Sequence, residues 1–124
     1  MTSILYVEDN EDNIYMLSRR LKREGFDVSI ARDGAEGVAM AREQGPDLVI
    51  MDLVLPQMDG FEASRQLRAG AATAHIPIIA LSASVLPEHR HRAIDAGCDD
   101  FETKPVDFAR LLEKIGRLLA GGRA

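Results

Sequence analysis

Short apolar runs alternate along this chain with stretches of helical periodicity, and that alternation limits the fold more than any single residue does. The first run, Ile4 to Val7, precedes Ile14, Leu17 and Leu21, which share one helix face. Phe26 to Ile30 alternates with period two, and a helix carrying Val38 and Ala41 follows, ending near Gly45-Pro46. Leu48 to Met51 leads into a helix marked by Phe61, Ser64 and Leu67. Ile76 to Leu81 leads into a helix that reaches the neighbourhood of Gly97. Asp99 to Thr103 is a weaker run, and Phe108, Leu111, Leu112, Ile115, Leu118 and Leu119 then form a strongly amphipathic helix.

Strands that alternate with helices build a parallel sheet covered on both faces. The runs at Ile4, Leu48 and Ile76 are apolar on both sides, as central parallel strands must be. The segments at Phe26 and Phe101 mix polar and apolar positions, as edge strands do. A flavodoxin-like strand order, 2-1-3-4-5, puts those two at the edges. The order 1-2-3-4-5 would expose the apolar first strand and is rejected. The expected fold is α/β: a doubly wound, five-stranded parallel sheet with five helices, one domain over residues 1–124.

At 124 residues the chain can bury a core without staples. Hydrophobic content of 46% and charged content of 28% are those of an ordinary globular protein. A formal net charge of -5 argues against a nucleic-acid-binding surface. The lone cysteine, Cys98, reads as a buried thiol in a reducing compartment, so a cytoplasmic location is expected. The opening MTSILYVEDN turns acidic after a short apolar run, unlike a signal peptide, and no run approaches a membrane span. No membrane partner is expected. The tail LLAGGRA reads as a helix end followed by a short frayed terminus.

The stretch VIMDLVLPQMDG, Val49 to Gly60, sets Asp52 directly after apolar residues of a central strand. A buried carboxylate is costly unless a cation or donors meet it. In open α/β sheets the ligand site lies outside the carboxyl ends of the strands, near the switch point between strands 1 and 3. Strand 1 ends in Glu8, Asp9 and Asn10, strand 3 in Asp52, strand 4 in Ser82 and Ala83, strand 5 in Lys104 and Pro105. Gathered acids repel and raise one another's pKa, and a hard divalent cation such as Mg²⁺ is the usual remedy. A cation, an ammonium at Lys104, a hydroxyl at Ser82 and a backbone N–H at Ala83 suit a transferred phosphoryl group. Asp52 lies between them all and is the natural nucleophile.

Four motifs in order, LYVEDN (Leu5–Asn10), MDLVLPQMDG (Met51–Gly60), ALSA (Ala80–Ala83) and FETKP (Phe101–Pro105), resemble the response-regulator receiver domains of bacterial two-component signalling. The similarity spans residues 3 to 119 and is strongest to the single-domain chemotaxis and cell-cycle type. The resemblance implies that Asp52 accepts a phosphoryl group from a phosphohistidine on a sensor histidine kinase or histidine phosphotransfer protein. It implies Mg²⁺ held by Asp9, Asp52 and the Val54 carbonyl, with Glu8 acting through a metal-bound water. Lys104 and the Ala83 N–H would meet the phosphoryl oxygens, and Ser82 would swing toward them after transfer. The Lys104–Pro105 bond would be cis. Phe101 would take the switch-aromatic position, turning inward as Ser82 moves.

The resemblance further implies that the protein is a phospho-acceptor rather than a turnover enzyme. It would signal to a downstream protein, or pass the phosphoryl group on, through the face of helix 4, strand 5 and helix 5. A homodimer through that face is also compatible with the resemblance. Two positions depart from the usual pattern: Phe101 has no hydroxyl where tyrosine is common, and Val54 is apolar where other members carry polar side chains. The position of Val54 influences dephosphorylation in the family.

Plainer readings stand beside these. Asp9 or Asn10 can cap the first helix, and Asp59 reads as the cap of the third, with Gly60 allowing the tight turn. Ser82 can be a strand-end hydroxyl bonded to backbone, and Lys104 a surface lysine. His75, His89 and His91 show no ligand or triad spacing; with Arg90 and Arg92, the latter two read as a solvated basic face or part of a partner surface. A haloacid-dehalogenase-like phosphatase would need a second aspartate where Val54 stands. A flavodoxin-type flavin carrier would need a hydroxyl- and glycine-rich loop where EDNEDN stands. The remaining alternative is a receiver-like docking module that works without phosphorylation.

Overall fold

A computed structural model describes residues 1–121. The expected frayed terminus falls on residues 122–124, outside the described residues. The strands are β1 (Ser3–Val7), β2 (Asp27–Ala31), β3 (Leu48–Asp52), β4 (Ile78–Ser82) and β5 (Asp100–Thr103). The helices are α1 (Glu11–Arg23), α2 (Gly34–Gln44), α3 (Gly60–Ala69), α4 (Pro87–Asp95) and α5 (Phe108–Gly121). All strand pairs are parallel and the order is β2-β1-β3-β4-β5. The doubly wound fold expected from the alternation is therefore present.

Period-two alternation sorts the sheet residues onto two cores. Leu5, Val7, Val49, Met51, Ile78 and Ala80 face α2, α3 and α4, where Val38, Ala41, Ala63, Leu67 and Ala93 meet them. Ile4, Tyr6, Leu48, Ile50, Ile79 and Leu81 face α1 and α5, where Leu17, Leu21, Phe108, Leu111 and Ile115 meet them. β1, β3 and β4 are almost wholly buried, and the edge strands β2 and β5 are partly exposed. Truncating a buried leucine such as Leu81 to alanine would cost about 2–5 kcal/mol.

Two strand boundaries differ from the apolar runs. Phe26 donates its N–H to Leu21 O at the end of α1, so the ladder of β2 begins at Asp27. Ile76 and Pro77 are buried but precede β4; Pro77, which has no N–H, joins only by accepting from Val49 N. The caps follow simple chemistry. Asn10 Oδ1 accepts from Asn13 N, Asp33 Oδ1 from Glu36 N, and Asp59 Oδ1 from Glu62 N. Asn10, not Asp9, is therefore the cap of α1, which leaves Asp9 for other work.

Gly60 opens α3 against the backbone of β3. A Cβ at this position would lie 2.2 Å from Asp52 O and 2.7 Å from Leu53 Cα. The glycine allows close approach, and through it α3 braces the strand end that carries Asp52. Among the described residues, no helix is long and apolar enough to cross a membrane.

Candidate functional site

The carboxyl ends of β1, β3, β4 and β5 bring Glu8, Asp52, Ser82 and Lys104 together. Asp52 is 4% exposed and Glu8 1%. Lys104 Nζ donates to Asp52 Oδ2 at 2.8 Å and to Glu8 Oε1 at 2.9 Å. Val54 N donates to the other Asp52 oxygen, Oδ1, at 3.1 Å. Glu8 also accepts from the backbone N–H groups of Asp9 and Asn10, from Asn13 Nδ2 and from the buried Tyr6 hydroxyl.

The electrostatics follow from one ammonium serving two buried acids. Burial, then the neighbouring Glu8, pushes Asp52 up to about 6, against the pull of Lys104 and the Val54 N–H. Burial acts to raise Glu8 as well, but its contacts with Asp52, Lys104 and the Asn10 N–H hold it below the ordinary carboxylate value. Lys104 rises despite burial, because both carboxylates favour its charged form. Of the two acids, Asp52 is therefore the one whose carboxyl the site pushes up.

Oxygens of Glu8, Asp9 and Asp52 lie within 4.8 Å of one another, with Asp9 exposed at the rim. Hard carboxylate oxygens at that spacing fit a hard divalent cation. Lys104 sets one positive charge against Glu8 and Asp52, with Asp9 beside them, an imbalance of charge that a cation relieves.

Ser82 is buried at the end of β4, where its Oγ accepts from Ser84 N at 3.0 Å. Ala83 is exposed beside it. A cavity of about 420 Å³ opens there, lined in part by Val54, Ser82, Ala83, Ser84, His89 and Arg92. The Val54 side chain is 75% exposed at its edge. The Lys104–Pro105 bond is cis, as expected.

This arrangement of acids, lysine and strand-end serine coincides with a family match: the model described as the response regulator receiver domain covers residues 4–116. The chain belongs to that family. The receiver is 40% identical over 121 residues to Protein PilH of Pseudomonas aeruginosa, covering 98% of this chain and 100% of PilH. It is 34% identical over 113 residues to the polar-differentiation response regulator DivK of Brucella ovis, covering 91% of this chain and 92% of DivK. A solved receiver domain of a Pseudomonas aeruginosa sensor histidine kinase is similar with a TM-score of 0.90 at 35% identity, covering 96% of this chain and 98% of that one. That structure has a magnesium ion coordinated in its active-site cleft.

Phe101 already holds an inward position. Its ring is 4% exposed and already packed in the core, with the Arg90 guanidinium 5.9 Å from its centroid. Without a hydroxyl to keep in water, the ring gains by burial, and it sits inward while Ser82 is bonded to Ser84. The α4 basic face is exposed at Arg90, His91 and Arg92, as the solvated reading expects, and differs from it at His89. His91 is exposed, but His89 is half-buried with Nδ1 hydrogen-bonded to Ser84 Oγ. Arg92 lies over the Phe61 ring at 4.0 Å. Cys98 is buried against Ser64 Oγ, and burial pushes its thiol up to about 11.

Sequence reasoning missed Tyr6, Asn13, Ser84 and His89. The signal for Tyr6 was a hydroxyl-bearing ring inside an otherwise apolar strand, which needs a buried partner. Asn13, Ser84 and His89 gave no periodic signal.

Proposed function

We propose that this receiver is a single-domain response regulator that accepts a phosphoryl group on Asp52. The observation that supports this most is the buried Asp52 carboxylate held by Lys104 beside Glu8, with Ser82 at the end of the next strand. A carboxylate oxygen of Asp52 attacks phosphorus of a partner's phosphohistidine. The P–N bond breaks, its electron pair returns to the imidazole, which takes up a proton, and an acyl phosphate forms on Asp52.

Asp9, Asp52 and the Val54 carbonyl would hold Mg²⁺, with Glu8 reaching it through water. When bound, the ion supplies positive charge against the phosphoryl oxygens. Lys104 exchanges part of its contact with Asp52 for a phosphoryl oxygen. The Ala83 N–H and the Ser82 hydroxyl donate to the others, and Ser82 gives up its present partner to do so. Asp52 is consumed as an acceptor in each cycle, so the protein is a switch and not a turnover enzyme.

The donor is a sensor histidine kinase or a histidine phosphotransfer protein, and the setting is the cytoplasm. The output is a protein contact, or a second copy of the chain, on the face of α4, β5 and α5, where Ser82 serves as the switch residue and the Phe101 ring is already packed inward. Exposed Val85, Leu86 and Ile94 on that side favour a protein partner.

The test is intact-protein mass after incubation with acetyl phosphate, with and without Mg²⁺, on the wild type and Asp52→Asn. One phosphoryl adduct that needs both Mg²⁺ and Asp52 is expected. Absence of an adduct under every condition would sink the reading and favour phosphorylation-independent docking.

A further inference from the structure

Three polar contacts meet at Ser84, in the loop between β4 and α4. Its N–H donates to Ser82 Oγ at 3.0 Å. Its Oγ accepts from Leu86 N at 3.2 Å and is hydrogen-bonded to His89 Nδ1. A serine hydroxyl has one hydrogen and two acceptor sites. Ser84 can therefore take the Leu86 N–H and still bond the imidazole in either tautomer.

The helix at the other end of this chain of contacts is weakly anchored. Ala93 is the one buried residue within α4, and Leu86 at its start provides no side-chain cap. Its side chains add modest contacts: Arg92 over Phe61, Arg90 over Phe101 and the His89–Ser84 bond. A helix held this way opens locally more readily than one with a buried stripe, and loss of one contact shifts its opening equilibrium.

We infer that His89 is a positioning residue, which acts through Ser84 to couple the Ser82 hydroxyl to the seating of the first turn of α4. With Ser82 Oγ on Ser84 N, the Ser84 hydroxyl is held where His89 and Leu86 N both reach it. When Ser82 Oγ turns away, Ser84 loses the contact that orients it, and the bond to His89 weakens with it. In the other direction, removing the imidazole loosens Ser84 and frees Ser82 to move. The functional consequence, an altered phosphorylated lifetime, rests on the Asp52 reading above. The coupling itself does not.

The test is amide hydrogen exchange across α4 on the unphosphorylated, magnesium-free full chain, for wild type, Ser82→Ala, His89→Leu and the double variant. Each single substitution is expected to speed α4 exchange by about twofold to tenfold, the range of one net hydrogen bond. The double variant should exchange no faster than the faster single one, because both break one link. Factors that multiply in the double variant would mean independent sites and would overturn the inference. His89→Gln retains a side-chain donor and acceptor and should return exchange close to wild type. If it behaves like His89→Leu, ring packing and not the hydrogen bond seats the helix, and the inference fails. Amides of β1 and β3 are the control: equal acceleration there would mark a global effect and also overturn it. Because no phosphorylation is involved, failure of Asp52 to take a phosphoryl group would leave this result standing.

Discussion

Lys104 Nζ lies 2.8 Å from Asp52 Oδ2, although the chain separates the two residues by 52 positions. The same ammonium lies 2.9 Å from Glu8 Oε1, 96 positions away. One cation thus joins the ends of β1, β3 and β5. It serves two buried carboxylates at once, so charge compensation in the metal-free protein is incomplete.

Asp52→Asn should stabilise the metal-free protein near pH 7.5. Folding raises Asp52 to about 6, above the roughly 3.9 of an unfolded aspartate. The folded state therefore favours the protonated acid, and stability from this group is fully present below about pH 4 and lost as pH rises through about 6. Asparagine mimics the neutral acid at every pH. Urea unfolding in chelator should show no difference at pH 4 and a gain of about 1–2 kcal/mol for the variant at pH 7.5. A variant less stable than wild type at pH 7.5 would contradict the upward shift of Asp52.

Lys104→Met should act in the opposite direction. Glu8 is held below its ordinary value partly by Lys104, so its contribution is present above the unfolded value of roughly 4.3 and lost as pH falls through the folded one. Without the ammonium, the buried carboxylates lose their cation, at a cost of about 3 kcal/mol near neutrality. The deficit should shrink toward zero as the acids protonate at low pH. The same urea series, run against pH, checks both the sign and the convergence.

Much of this arrangement was legible because strand ends are legible. Apolar runs that stop at Glu8, Asp52 and Ser82 place those side chains at one end of a parallel sheet, whatever the exact boundaries. Lys104 was legible from its place between β5 and Pro105. The links made by Tyr6, Ser84 and His89 were not, because each depends on where a side chain points once α1 or α4 is seated. The inward ring of Phe101 was hidden for a related reason. Its burial depends on what α4 lays over it, and the spacing of Arg90 and Phe101 in the chain does not encode that contact.

Gly60→Ala should destabilise the fold and disturb the site together. The added methyl would meet Asp52 O at 2.2 Å and Leu53 Cα at 2.7 Å, both backbone atoms that cannot rotate aside. Overpacking of this kind costs about 1–3 kcal/mol or more. Thermal unfolding should drop by several degrees, at about 4 °C per kcal/mol for a domain of this size. Phosphorylation by acetyl phosphate should slow in the folded fraction, because the acceptor strand end has shifted. An unchanged melting temperature would show that α3 adjusts freely and does not brace the acceptor.

Val54→Asn should shorten the life of a phosphoryl group on Asp52. Val54 is 75% exposed at the edge of the cavity beside Ser82 and Ala83, the side from which, on the proposed reading, a water would reach an acyl phosphate on Asp52. An apolar group there neither donates to nor accepts from that water, and it occupies part of the path. An asparagine offers both a donor and an acceptor, and orienting an attacking water in this way lowers the barrier to hydrolysis. Each 1.4 kcal/mol of barrier corresponds to about tenfold in rate, so one added hydrogen bond predicts an acceleration of about threefold to tenfold. The decay of the phosphorylated species, followed by intact mass after removal of the donor, measures it. Because Val54 contributes its backbone to the site, phosphorylation itself should proceed in both proteins. Equal decay rates would show that the exposed side chain does not control access of water to Asp52.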